Sequence, residues 1–239
     1  MHSEPKVSVN ASANFDVKSE VIVASDVEGT LTMGETWRAL GRYYQQNEQR
    51  GAYRRFFAAR MPGFALMKLG VKNEATYKER WIADLAQFFA GMDVAALEQV
   101  AAWVVKHELW AKRRPDVVAE LERRREVGRT LILASGIYQP VLEVLAARLG
   151  AVALGTPLEM KGGVATGRLV GEVNTGEAKL ARLTAWLGRR TLSAAYGDTE
   201  ADVPMLTRAE EAVAVYPDAQ LEEAAHARGW RVLGAPSRT

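Results

Sequence analysis

Two textures alternate along this chain: short unbroken apolar runs, and longer stretches with apolar residues every three or four positions. Residues 21–25 (VIVAS) form the first run, which suits a strand buried on both faces. Residues 129–134 (RTLILA), 151–154, 192–196, 212–215 and 230–233 repeat it. Between them lie helical patterns: one opened by Pro115 and ending near Gly128, one over about 138–149, one over 177–187, and one capped by Asp218 and running to about 228. Strands alternating with helices predict a parallel sheet with crossovers. Residues 158–173 alternate around Lys161-Gly162-Gly163, the pattern of a small β-hairpin.

Residues 35–112 break this rhythm. They are rich in Ala, Leu, Gln, Arg and aromatics and show almost no period-two alternation. Trp37, Leu40, Tyr43 and Tyr44 recur at helical spacing, as do Trp81, Leu85, Phe88 and Phe89. Asp93 is placed to cap a further helix through Leu97, Val100, Val104 and Leu109. Pro62-Gly63 predicts a turn or break. Arg54-Arg55 and Lys112-Arg113-Arg114 read as solvated faces. The expected organisation is an N-terminal arm over 1–19 with a short extended piece near residues 15–17, an α/β core over 20–34 and 113–239, and an all-helical insertion over 35–112.

Three predicted strands end in chemically loaded turns. The first runs into Asp26-Val27-Glu28-Gly29-Thr30, the second into Ser135-Gly136, and a third into Gly197-Asp198-Thr199-Glu200-Ala201-Asp202. The carboxyl ends of parallel strands share one edge, where open α/β sheets hold their ligands. Asp26 and Glu28 are two apart, so an extended backbone points both to one side. Gly29 allows a sharp turn and would leave its N–H to an approaching anion. Lys179 falls in the first turn of the 177–187 helix. Several acids, one lysine and one hydroxyl suit metal-assisted phosphoryl transfer: acids hold a hard cation, while lysine and N–H groups neutralise phosphate oxygens.

Composition removes other readings. A net charge of +2 over 239 residues implies no field for nucleic acid or a membrane surface. No cysteine is present, which excludes disulfides, thiolate metal sites and cysteine nucleophiles. His2, His107 and His226 stand alone, without ligand spacing. Residues 1–18 lack the apolar core of a signal peptide, and no apolar run approaches the ~20 residues of a membrane span, so a cytoplasmic location is expected.

DVEGTLT (26–32), LASG (133–136), GEAK (176–179) and GDTEAD (197–202) together resemble the four ordered motifs of the haloacid dehalogenase superfamily. The longer match GDTEADVPML and the helical insertion after the first motif resemble its phosphoserine phosphatase-like branch, over about residues 21–233. That resemblance implies a Rossmann-like core with a helical cap. It implies that Asp26 is a nucleophile forming an aspartyl-phosphate, and that Glu28 is the general acid and base. It implies Mg²⁺ held by the Asp26 carboxylate, the Glu28 backbone carbonyl and Asp198, with Asp202 behind them. Gly29, Ser135, Gly136 and Lys179 would meet the phosphoryl oxygens. Glu35 and Arg80 stand where that branch reads an amino group and a carboxylate.

Glu28 departs from the pattern, since these phosphatases usually carry aspartate there. The extra methylene displaces the carboxyl by about a bond length, and proton transfer, typically worth ~10²–10⁴-fold, is sensitive to position. Ala201 also replaces an asparagine common in the phosphoserine enzymes. The expected activity is Mg²⁺-dependent hydrolysis of a small phosphate ester, phosphoserine being one candidate. Transfer of the phosphoryl group to an acceptor alcohol, and phosphate-ligand binding without turnover, are the alternatives.

Overall fold

The computed structural model describes residues 20–46, 50–68 and 74–235. In chain order the elements are β1 (Val21–Ser25), α1 (Thr36–Gln46), α2 (Arg50–Lys68), α3 (Glu74–Leu85), α4 (Val94–Val104), α5 (Pro115–Glu126), β2 (Thr130–Tyr138), α6 (Gln139–Leu149), β3 (Val152–Thr156), β4 (Leu158–Lys161), β5 (Val164–Leu169), α7 (Gly176–Leu187), β6 (Thr191–Gly197), α8 (Val203–Arg208), β7 (Glu211–Val215), α9 (Ala219–Arg228) and β8 (Arg231–Leu233). Six strands form one sheet in the order β3-β2-β1-β6-β7-β8, all parallel; β4 and β5 form a separate antiparallel hairpin.

Side chains alternate across each strand, so each face of the sheet feeds its own core. Val23, Leu131, Leu133, Val213 and Val215 point into one core, shared with Val117 and Leu121 of α5 and Leu142 and Leu145 of α6. Ala24, Ala134, Ala195, Ala212 and Ala214 point into the other, against Leu183, Leu187, Met205, Leu206 and Leu221 of α7, α8 and α9. Both faces are therefore covered, which explains why the strands read as unbroken apolar runs.

The chain winds from β1 outward through β2 and β3, then returns to the other side of β1 as β6. The strand order thus reverses between β1 and β6. At such a switch point the connections leave in opposite directions and open a crevice beyond the strand ends.

The described residues of the 35–112 stretch are largely helical, as their periodicity predicts. Asp93 caps α4, its carboxylate accepting from Ala96 N at 2.8 Å. The expected break at Pro62-Gly63 is not found: α2 runs through Pro62. Tertiary contacts support the chain there, as Tyr77 Oη donates to the Arg60 carbonyl at 3.0 Å and a Cβ on Gly63 would lie 3.0 Å from the Tyr77 ring. The expected arm over 1–19 lies outside the described residues. No described helix is long and apolar enough to cross a membrane.

Candidate active site

Asp26 follows β1 directly, its N–H donating to the Tyr196 carbonyl of β6 at 2.9 Å. Lys179, in the first turn of α7, reaches across the sheet edge. Its ammonium lies 2.7 Å from Asp26 Oδ1 and 2.6 Å from Asp202 Oδ1. All three side chains are buried. Burial pushes the Asp26 carboxyl up to about 6; Lys179 and the Val27 amide oppose that shift, and Asp202 adds to it. Burial pulls the Lys179 ammonium down, but Asp202 and Asp26 outweigh it and hold the group above the ordinary lysine range.

Asp198, just past β6, completes the cluster. One carboxylate oxygen from each of Asp26, Asp198 and Asp202 lies within 4.8 Å of the other two. Thr30 Oγ1 donates to Asp198 Oδ1 at 2.9 Å. Asp202 Oδ2 accepts from the N–H groups of Asp198 and Thr199 at 3.2 and 3.4 Å. Asp202 therefore has both oxygens engaged, while Asp198 Oδ2 accepts no hydrogen bond from the described residues. Burial, then repulsion from Asp26 and Asp202, raises the Asp198 carboxyl well above its ordinary range. Three carboxylates against one ammonium leave an excess of negative charge, which a hard divalent cation with oxygen ligands would relieve. The donor set fits such an ion.

Gly29 serves a different purpose from the one its sequence suggests. Its N–H donates to the Thr32 carbonyl at 2.8 Å and so is not offered to an anion. Its φ is +94°, and a Cβ there would lie 1.8 Å from Asp198 Oδ2. The glycine is required so that the first turn can close onto Asp198.

Glu28 points to the helical side of the crevice. Its Oε1 accepts from Thr36 N, the first residue of α1. Burial pushes its carboxyl up to about 7, against the Thr36 hydrogen bond. It can therefore be protonated or ionised near neutral pH, as a proton carrier must be.

Ser135 and Gly136 emerge beside Asp26. The pairing Ser25↔Leu133 puts Asp26 level with Ala134, one residue before Ser135, on the adjacent strand. Ser135 is buried, and a Cβ on Gly136 would lie 3.7 Å from Ile82 of α3, so the helical layer leans on this turn. Asp26, Glu28, Ser135, Gly136, Lys179, Asp198 and Asp202 thus gather at the β2-β1-β6 edge.

Glu35 and Arg80 are not brought together. Glu35 forms an ion pair with Arg38, and its own N–H donates to Glu108 Oε1 at 3.2 Å. Arg80 is exposed and lines a cavity of about 480 Å³ with Leu169, Val173 and residues 175–178; Glu35 is not part of that lining.

Two further residues were not singled out by sequence. Arg114, expected on a solvated face, donates from Nε to the Gly29 carbonyl at 3.1 Å and lies 3.8 Å over the Tyr216 ring. Glu108 sits buried in a π-helical turn, Val105–Leu109, where it accepts from Lys112 Nζ at 2.6 Å, pairs with Arg42 and holds Glu35 N. It thereby ties the entry to α1 to the chain leaving the helices. Arg114 meets the backbone of Gly29 and Glu108 that of Glu35, contacts remote in sequence that give no local pattern.

A family model described as haloacid dehalogenase-like hydrolase matches residues 23–207. The chain belongs to this hydrolase family. Among curated members, a protein named phosphoserine phosphatase SerB1 from Mycobacterium tuberculosis is 29% identical over 245 residues, covering 96% of this chain and 72% of that protein. A histidinol-phosphatase from Neisseria meningitidis is 41% identical, but over 88 residues only, 34% of this chain. Among solved structures, a Bordetella pertussis Tohama I protein of unknown function superposes with a TM-score of 0.74 at 22% identity, over 90% of this chain and 98% of its own. A substrate-bound phosphoserine phosphatase superposes with a TM-score of 0.58 at 17% identity, over 90% and 93% of the two chains. These likenesses show that this hydrolase shares the phosphoserine phosphatase fold.

Proposed function

We propose that this hydrolase is a Mg²⁺-dependent phosphomonoesterase that acts on a small phosphate ester through an aspartyl-phosphate at Asp26. The observation that carries the reading is the buried Lys179 ammonium between Asp26 and Asp202, with Asp198 completing the cluster at the switch-point edge. Such an arrangement neutralises a nucleophilic carboxylate and an incoming phosphate together.

The Asp26 carboxylate, the Glu28 backbone carbonyl and Asp198 would hold Mg²⁺, with Asp202 fixing Lys179 and the 198–199 turn. The ion would supply charge that screens the attacking and transferring oxygens. One oxygen of the Asp26 carboxylate attacks phosphorus as the ester P–O bond breaks. Glu28 gives its proton to the departing alkoxide. Glu28, now ionised, then takes a proton from water, whose oxygen attacks phosphorus and releases Asp26. Ser135, Gly136 and Lys179 meet the phosphoryl oxygens. Splitting the reaction this way replaces one difficult displacement by two easier ones.

In this reading residues 20–34 and 113–239 form the catalytic core, and residues 35–112 a cap over the crevice. Glu35 and Arg80 are the candidate substrate-reading residues. For Glu35 to meet a substrate amine it must exchange Arg38 for it. Similarity to proteins named phosphoserine phosphatase supports phosphoserine as the first substrate to try. The test is phosphate release from a panel of phosphorylated metabolites, with Mg²⁺ and with a chelator. Release that requires Mg²⁺ supports the reading; no release from any ester, or release unchanged by chelation, contradicts it.

A further inference from the structure

The turn carrying Ser135 and Gly136 is a detour in the β2–β3 ladder. Ala134 pairs with Leu154 and Tyr138 with Thr156, so β2 takes four steps where β3 takes two. A detour of this kind removes backbone groups from the ladder, and buried backbone carbonyls need new donors.

Two side chains supply them. Asn174 Nδ2 donates to the Ser135 carbonyl at 3.2 Å and to the Leu154 carbonyl of β3 at 2.6 Å. Thr156 Oγ1 donates to the Gly136 carbonyl at 2.8 Å and accepts from Asn174 N at 3.0 Å. Both residues are fully buried. The two acceptors of Asn174 are carbonyls, so its amide can face them only with its NH₂ group. Its Oδ1 is buried with no partner among the described residues. An unsatisfied buried acceptor is costly, and an apolar residue of similar size would avoid that cost. The donors of Asn174, rather than its packing, explain an amide at this position.

A trans peptide is rigid, with its C=O and N–H on opposite sides. Holding the Ser135 carbonyl against Asn174 therefore turns the Gly136 N–H away from Asn174. Holding the Gly136 carbonyl against Thr156 fixes the next peptide plane. Close packing completes the brace, since a Cβ on Gly155 would lie 2.7 Å from the Ile137 carbonyl.

We infer that Asn174 and Thr156 are positioning residues. They splint the Ser135-Gly136 turn so that its hydroxyl and amide receive the phosphoryl group. This rests on the phosphatase reading above. Neither residue would touch substrate; each acts through the turn.

The test compares Thr156→Val and Asn174→Ala with Leu221→Ala, a core truncation in α9 that lowers the melting temperature away from the turn. In Mg²⁺-loaded protein, with an ester that the wild type hydrolyses, both splint variants are expected to lose at least tenfold in kcat/KM. Inhibition by inorganic phosphate should weaken by at least tenfold, and the ¹⁵N-amide shift that Gly136 shows on phosphate binding should shrink. Leu221→Ala should stay within twofold on each readout. Splint variants that behave like Leu221→Ala overturn the inference. If Asn174→Ala does not fold, Thr156→Val decides alone, since it removes one hydroxyl at nearly constant shape. A Ser135→Ala variant separates the two claims. If it loses turnover while the splint variants do not, the splint fails and the phosphatase reading stands. A wild type that releases phosphate from no ester overturns both.

Discussion

Lys179 Nζ lies 2.7 Å from Asp26 Oδ1, although 153 positions separate the two residues. Neither side chain is exposed enough to be solvated well. The ammonium is held by Asp26 and Asp202 together, so each charge is tolerable only because of the others. Removing one partner from a buried pair is costly because it leaves the other charge uncompensated.

Lys179→Met should therefore destabilise the protein by about 3–5 kcal/mol and abolish turnover. Urea unfolding with chelator present measures the first. A loss under about 1 kcal/mol would show that the acids do not depend on this lysine.

Gly29→Ala should disturb Asp198 directly, because the new methyl would overlap its carboxylate. The left-handed backbone adds a strain of about 1–3 kcal/mol. Mg²⁺ affinity, read from the metal dependence of turnover or from metal-induced thermal stabilisation, should fall at least tenfold. Unchanged affinity would separate Asp198 from the cation.

Glu28→Gln should slow an alkyl phosphate by ~10²–10⁴-fold, the usual worth of proton transfer. A nitrophenyl phosphate, whose leaving group needs no proton, should lose less in the transfer step followed by single turnover. Equal losses would mean that Glu28 does not protonate the leaving oxygen.

Glu120 gives a pH prediction remote from the site. Despite burial, which opposes ionisation, hydrogen bonds from Arg123, Tyr196 and Arg231 pull its carboxyl down to about 2. A depressed folded-state value means stability present above the unfolded value near 4.5 and lost as pH falls toward 2. Glu120→Gln should cost about 1–2 kcal/mol at pH 7 and less at pH 3, measured by urea midpoints. An equal difference at both pH values would contradict the assignment.

Much of this architecture is legible in the chain because its signals are local. VIVAS stops at Asp26, RTLILA at Ser135, and the 192–196 run near Asp198, so the strand order alone brings three loaded ends to one edge. Asp93 and Asp218 cap the helices that their positions predict. The less legible parts depend on distant backbone. Gly29 spends its N–H on Thr32, Arg114 holds the Gly29 carbonyl, and Asn174 holds that of Ser135. A carbonyl has no residue identity, so a side chain that meets one leaves no matching partner in the sequence. Pro62 is the converse case: a strong local breaker overridden by the packing of Tyr77.

The central claim is a phosphoryl group carried on Asp26. Protein mixed with a hydrolysed ester and Mg²⁺, quenched in acid and reduced with borohydride, converts an aspartyl-phosphate to homoserine. Peptide mass analysis should find homoserine at position 26 in the wild type and none in Asp26→Asn, which should also release no phosphate. Phosphate release by the wild type with position 26 unmodified, or full activity in purified Asp26→Asn, would contradict the account.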